Sequence, residues 1–405
     1  MSSSVGMVIT HLSLTNFRNY ARLELDLPPG IILLQGDNAQ GKTNLLESIY
    51  YLATSRSPQT NSDAEVINWL VRGDAMAFAR LVVDVKWDGK TQRIELVLSP
   101  ANNGSPLSAS FRKQIRINGV PKRAMDLIGL LNVVIFRPQD VDIVAGTPAA
   151  RRRYLDAMLC QIDNHYCRAL QSYNRVLAQR NCLLRTLRER NGDVSQLEFW
   201  DERLVEHGSY IIARRGLAIV ALNDFAHSIH RDITDGQEHL MLRYQPNFSA
   251  GAESCNLTFS NWEETASTAA RLAPIFGASL RQSRREEVAR GLTLTGPHRD
   301  DFRFLLPDID LTVYGSRGQQ RTAALTLKLA EAEVVRQVKG HWPVLLLDDM
   351  MSELDGARRR RILELVNSAV QTFITTTDVD AYSVDFLRQV VRYRVTAGRL
   401  ERLAS

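Results

Sequence analysis

The chain has 405 residues, 44% of them hydrophobic and 23% charged, with a formal net charge of +5. That length exceeds an average domain, and the composition is that of a globular protein, which excludes disordered and collagen-like chains. The charge excess, 50 Lys and Arg against 45 Asp and Glu, is too small to imply a polyanion partner unless it gathers on one face. Cys160, Cys167, Cys182 and Cys255 show neither Cys-x-x-Cys nor zinc spacing, which predicts free thiols in a reducing cytosol. Residues 1–6 are Ser-rich with no basic n-region, and the apolar runs 129–136 and 344–347 are short. No signal peptide and no bilayer span of ~20 residues is expected, so the chain reads as cytoplasmic with no membrane partner.

In chain order, residues 8–14 alternate loosely, 23–27 alternate Leu with acidic side chains, and 31–35 form a short apolar run. Each predicts a strand. Strand patterns recur at 78–87, 93–98 and 111–117, followed by an Asn118-Gly119 turn, while the Asn-, Gly- and Ser-rich stretch 101–108 reads as a hairpin loop. Beyond Pro148 the pattern becomes helical over 149–190, 197 to about 231 and about 262 to 291, the last interrupted near Pro274. A strand-like piece at 239–244 lies between the second and third of these. After Gly291 the strands return at 302–306 and 311–314, then a helix at 319–338 carries Leu325, Leu329 and Ala332 on one face. A buried strand at 344–347, a helix at 357–370 and a strand at 372–375 complete the series. An α/β body split by a helical insertion follows from this order.

Gly36-Asp37-Asn38-Ala39-Gln40-Gly41-Lys42-Thr43 matches G-x-x-x-x-G-K-[ST] in full. The apolar run 31–34 precedes it, and Leu45, Leu46, Ile49 and Leu52 give the following segment one apolar helical face. The glycines let the backbone curl so that N–H groups face phosphate oxygens, and the helix N-terminus adds partial positive charge. Lys42 would reach the β and γ phosphates of ATP, and the Thr43 hydroxyl would ligate Mg²⁺. Downstream, residues 344–347 form an apolar strand ending in Asp348 and Asp349. Asp348 is expected in the Mg²⁺ shell, and Asp349 is expected to orient or deprotonate the attacking water.

Tyr314-Gly315-Ser316-Arg317-Gly318-Gln319-Gln320-Arg321 resembles the S-x-G-Q signature of ABC-type ATPases, the SMC chromosome proteins included. Ser352-Glu353-Leu354-Asp355 resembles their D-loop, and Gln139 stands where their Q-loop glutamine would be, a metal and catalytic position. Over most of its length the chain is similar to the RecF family. The match runs from Leu14-Thr15-Asn16-Phe17-Arg18-Asn19-Tyr20 to Ile374-Thr375-Thr376-Thr377. Between them stand residues 138–142, Gly146-Thr147-Pro148 with Arg151-Arg152-Arg153-Tyr154-Leu155-Asp156, and Thr295-Gly296-Pro297-His298-Arg299-Asp300-Asp301.

That resemblance implies an ABC-type α/β P-loop ATPase head (lobe I) with an inserted α-helical lobe II. The expected division is 1–145 for the first half of the ATPase lobe, 146–290 for the Arg-rich helical lobe and 291–405 for the second half. It further implies an ATP-dependent homodimer in which Ser316, Gly318, Gln319 and Asp355 of one copy meet the nucleotide held by the other. It also implies binding at single-strand/double-strand DNA junctions and gapped duplex near the nucleoid. RecR and RecO would be partners in loading RecA, with weak, DNA-stimulated ATP hydrolysis as a release switch. Arg18 would reach the nucleotide phosphates, with a plain surface strand-end arginine as the alternative. Asp349 stands where transporters and SMC proteins carry Glu, which implies slow chemistry, and Thr375, Thr376 and Thr377 replace the transporters' switch histidine. A transporter's nucleotide-binding subunit and an SMC-like DNA tether are the rival readings; the arm is short for the second.

His298 and Arg299 read as part of a structural turn leading into the strand at 302–306. Arg151, Arg152 and Arg153, with Arg281, Arg284 and Arg285, are the candidate phosphate-backbone contacts of DNA, although Glu286 and Glu287 offer local pairing.

Overall fold

Residues 6–60, 62–71, 77–100, 111–190, 192–248, 262–307, 309–351, 356–380 and 382–403 are described by a computed structural model. The chain divides into one unit of residues 1–140 with 331–405 and a second of residues 141–330.

The first unit opens with β1 (Val8–Phe17), β2 (Tyr20–Asp26), β3 (Gly30–Gln35), α1 (Lys42–Thr54), β4 (Ala79–Trp87) and β5 (Lys90–Pro100). It continues through β6 (Phe111–Ile117), β7 (Val120–Lys122), α2 (Ala124–Leu127) and β8 (Val133–Phe136). The second unit contains α3 (Val141–Ala145), α4 (Pro148–Ile162), α5 (Asn164–Arg190), α6 (Leu197–Ile233), β9 (Met241–Gln245), α7 (Thr265–Arg290), β10 (Asp301–Leu306), β11 (Ile309–Asp310) and α8 (Leu311–Tyr314). Helix α9 (Arg317–Lys339) leads back to the first unit, which ends with β12 (Val344–Leu347), α10 (Gly356–Ser368), β13 (Gln371–Thr376), α11 (Val384–Gln389), β14 (Val391–Thr396) and β15 (Arg399–Arg402).

Two six-stranded sheets build the first unit. One is antiparallel in the order β2-β1-β4-β5-β6-β7. The other runs β15-β14-β3-β13-β12-β8 and is parallel except at its β15 edge. Every residue of β8, β12 and β13 is buried, as expected of parallel strands covered on both faces. From Arg22 to Asp26 of β2 exposed and buried residues alternate, the pattern of a strand with one wet face. Leu45, Leu46, Ile49 and Leu52 of α1 join Ile32, Leu34, Leu81, Leu346 and Phe373 in one core. The parallel strands therefore bring the ends of β3, β12 and β13 to one edge of the sheet. The hairpin expected at 101–108 lies outside the described residues.

In the second unit α6 packs against α5 and α7, and β9, β10 and β11 form a small antiparallel sheet. Two secondary-structure expectations are corrected. Residues 311–314 are helical rather than extended, because the Asp310 carboxylate caps the turn by accepting from Thr312 N at 2.9 Å. Helix α7 runs unbroken through Pro274, since Leu272, Phe276 and Leu280, buried on both sides of the proline, hold both halves on one core. The segment 291–330, expected with the ATPase half, falls in the helical unit. It is tied there by β10 pairing with β9, by Asp301 accepting from Arg151, and by Asp300 accepting from Tyr244.

Candidate nucleotide-binding site

The loop after β3 is shaped by two glycines. At Gly36 (φ 158°) a Cβ would fall 2.4 Å from the Val395 carbonyl oxygen, and at Gly41 (φ 114°) 2.5 Å from the Asn19 side chain. Neither position accepts an L side chain. The loop carbonyls are taken from outside: Gln40 O accepts from Asn19 Nδ2 at 2.9 Å and Gly398 N at 3.0 Å, and Gly41 O accepts from the Tyr20 hydroxyl at 2.9 Å. Gln40 Oε1 accepts from Ala397 N at 2.8 Å. Gly41, the N-cap of α1, supplies no side-chain cap, so the N–H groups at the start of the helix can face an anion.

Lys42 is buried, and its Nζ donates to Gly36 O at 2.6 Å and Asp37 O at 2.8 Å. Burial lowers the Lys42 pKa, opposed by the charges of Asp349, Asp348 and Asp37. Asp37, Asn38 and Ala39 are exposed on the loop.

Across the sheet edge, Asp348 Oδ1 accepts from Thr43 Oγ1 at 2.8 Å and from Thr375 Oγ1 at 2.9 Å. The Thr375 oxygen also accepts from Asp349 N at 2.8 Å, while Asp349 itself has a left-handed φ of 46°. Burial holds the Asp348 carboxyl above the usual carboxylate range, helped by the neighbouring Asp349 charge and opposed by the two threonine hydroxyls. Thr43 and Asp348 thus present two hard oxygens side by side, which suits Mg²⁺. Among the described residues no group of three or more His, Cys, Asp or Glu could hold a metal by itself, so a cation here would complete its shell from water and phosphate.

Gln139 is exposed in the turn after β8, and its neighbour Asp140 is anchored by Arg137 N at 2.8 Å. Arg18 is no plain surface arginine. Its Nε and Nη2 grip both oxygens of the buried Glu47 at 2.8 and 2.7 Å, and Nη1 donates to Glu65 O at 2.9 Å. Thr376 turns its hydroxyl to Asp378 O at 2.8 Å, and Thr377 is exposed just beyond β13.

The signature residues belong to the second unit. Ser316 Oγ accepts from Gln319 N at 3.2 Å and Ser316 N donates to Gln319 Oε1 at 3.0 Å, a reciprocal cap at the start of α9. Ser316 and Gly318 are exposed, as are Val313 and Tyr314 beside them. Asp355, with the rest of 352–355, lies outside the described residues.

The arginine-rich reading of the helical unit is corrected in part. Arg151 is 1% exposed, and Asp301 holds it with both oxygens at 2.6 and 2.9 Å, so it faces the core rather than a DNA backbone. Arg152 donates to Asp300 O at 2.7 Å and Arg284 to Asp201 at 2.7 Å. Arg153, Arg281 and Arg285 are exposed. His298 stands in a structural turn: Nδ1 lies 2.8 Å from the Tyr173 hydroxyl, and burial pushes its pKa down to about 4. Sequence reasoning missed Thr375 as the partner of both aspartates, Glu47, and the Asn19, Tyr20 and 397–398 brace. No spacing rule points to them, because each acts across a long stretch of chain.

A family model described as the RecF/RecN/SMC N terminal domain matches residues 8–397. The DNA replication and repair protein RecF of Chloroflexus aurantiacus is 45% identical over 404 residues, covering 97% of this chain and 99% of its own. The chain belongs to the RecF family. The RecF of Oceanobacillus iheyensis is 38% identical over 397 residues, covering 97% of this chain and 99% of its own. A solved structure of the recombination mediator protein RecF-ATPrS in the RecFOR pathway superposes with a TM-score of 0.84 at 32% identity, over 100% of both chains. The SMC head domain of Pyrococcus furiosus, at 13% identity and a TM-score of 0.52 over 98% of this chain and 96% of its own, shares the fold. The RecF-family chain thus has the ABC-type α/β ATPase fold with a helical second lobe. Among its described residues no helix is long and apolar enough to cross a membrane.

Proposed function

We propose that this chain is an ATP-gated, DNA-binding recombination mediator that pairs with a second copy of itself around ATP. The observation that carries the reading is the cluster in which Lys42 sits in the phosphate loop while Thr43 and Thr375 converge on Asp348 at 2.8 and 2.9 Å. Its complement, the Ser316–Gln319 turn, stands exposed on the other unit of the chain. Lys42 Nζ donates to the neutral carbonyl oxygens of Gly36 and Asp37, which an anionic phosphate would displace. Thr43 and Asp348 would hold Mg²⁺, which when bound offsets phosphate charge. Asp349 would orient the attacking water, and Gln139 would approach the same phosphate from the turn after β8. Ser316, Gly318 and Gln319 of the second copy would close over the γ-phosphate with a hydroxyl and helix N-terminal N–H groups, with Asp355 at the same interface.

The solved RecF relatives with ATPrS and ATP support the choice of nucleotide, and the curated relatives are named DNA replication and repair proteins. The paired form would bind single-strand/double-strand junctions and gaps and, with RecR and RecO, help load RecA; slow hydrolysis would release it. Sizing the protein with and without ATP, alongside Lys42→Met and Ser316→Arg, tests the reading. An ATP-driven dimer that both substitutions abolish supports it. A wild type whose self-association and hold on gapped duplex ignore ATP overturns it.

A further inference from the structure

Behind the exposed turn that opens α9 lies a ring of side chains that the reading above leaves unused. Because Gln319 Oε1 is committed to Ser316 N, its Nε2 is the group left over, and it donates to Glu238 Oε1 at 2.9 Å. A carboxylate only accepts, so this bond decides which way round the Gln319 amide sits. The other oxygen, Glu238 Oε2, lies 3.0 Å from His230 Nε2, and His230 Nδ1 lies 3.0 Å from Thr326 Oγ1, which is on α9 itself. His230 and Thr326 are fully buried, at 0% exposure each. With Nε2 donating to the carboxylate, Nδ1 accepts from the threonine hydroxyl, and every donor meets an acceptor. The Glu238 backbone is tied to the same helix end: Glu238 N donates to Thr234 Oγ1 at 3.3 Å, which donates to His230 O at 2.8 Å.

We propose that Glu238, oriented by His230, is a positioning residue for the Ser316–Gln319 turn. It locks the Gln319 amide, the amide locks Ser316 N, and the turn is thereby held ready for a phosphate carried by a second copy. The inference rests on the reading that this turn caps ATP in trans. Without Glu238 the amide is free to rotate, and a flip would set its NH₂ against Ser316 N–H, donor against donor.

The test is a swap, read by fluorescent ATP-analogue binding, by ATP-driven dimer formation and by phosphate release. Glu238→Ala removes the acceptor, and Gln319→Glu sets a second carboxylate against Glu238. Glu238→Ala is expected to bind nucleotide within about twofold of wild type while pairing and turnover fall about tenfold or more, the size of a lost bond to a charged group, and Gln319→Glu is expected to lose pairing at least as far. The double variant Gln319→Glu with Glu238→Gln restores one donor facing one acceptor, and is expected to recover pairing to within about threefold of wild type. Full pairing by Glu238→Ala, or a double variant as poor as Gln319→Glu alone, overturns the proposal even if one single variant folds badly. A wild type that fails to pair with ATP strikes the trans-capping reading instead, and this inference with it.

Discussion

Thr375 is a small residue placed between two larger roles. Its hydroxyl donates to Asp348 and accepts from Asp349 N, so it fixes both the Asp348 carboxylate and the left-handed turn at Asp349. Thr375→Val keeps the shape and removes both bonds. Nucleotide binding should stay within about twofold, whereas phosphate release should fall about ten- to hundredfold, and Thr375→Ser should recover most of it. Asp348 gives a prediction with a sign. Its folded pKa is raised by burial, so the folded state binds the proton more tightly than the unfolded chain does. Stability without nucleotide is therefore fullest below the unfolded carboxylate pKa and is lost as pH rises through the higher folded value. Asp348→Asn should melt above wild type at neutral pH without nucleotide, with the gap closing as the solution is acidified through the carboxylate range. Added ATP with Mg²⁺ should raise the melting temperature of the wild type only. The sequence alone marked Lys42, Thr43 and the aspartate pair, because loop, helix and strand-end patterns are local. Thr375 stands in a run of three threonines, and only its bonds to Asp348 and Asp349 set it apart from Thr376 and Thr377.

At the scale of elements, what was legible follows from periodicity. Strands β3 and β12 read as apolar runs and α1 as one apolar stripe, and these three pieces place the phosphate loop. The four residues Leu311-Thr312-Val313-Tyr314 carry apolar and β-branched side chains that fit a strand, and the Asp310 cap, to which periodicity is blind, makes them α8 instead. The helical unit misled in another way, since its arginines suggested a basic surface. Arg180, fully buried on α5, donates to Asp201 of α6 at 2.7 Å, to Glu287 of α7 at 2.7 Å and to Thr293 at 2.8 Å. One guanidinium thus joins three helices, and removing it takes the cation from the buried Glu287 and leaves Asp201 with Arg284 alone. Arg180→Met should cost about 3–5 kcal/mol in urea unfolding, the usual penalty for breaking a buried ion pair on one side. A change within about 0.5 kcal/mol, the size of an ordinary surface substitution, would show that the cluster is not structural.

For the whole molecule, the small net charge leaves DNA affinity to the arrangement of a few exposed arginines. Arg151, Arg180, Arg214 and Arg215 are spent on internal carboxylates: Arg214 bonds Asp163 at 2.7 Å and Arg215 bonds Asp156 at 2.8 Å. Arg153, Arg281 and Arg285 remain in solvent, and on the proposed reading they touch phosphate. Each phosphate contact releases condensed counterions, so the logarithm of affinity falls with the logarithm of salt by about 0.9 per contact on duplex. Replacing all three by alanine should therefore flatten that slope on gapped duplex by about 2.7, with ATP-driven pairing and thermal stability kept. Arg151→Ala should do the opposite: it leaves the half-buried Asp301 without its bidentate partner and beside a void, so it lowers the melting temperature without a specific change in salt slope. Salt titrations of both variants in saturating ATP separate the two kinds of arginine. An unchanged slope in the triple variant would move the DNA-binding face elsewhere, with the exposed Arg168, Arg175 and Arg185 of α5 as the next set to replace.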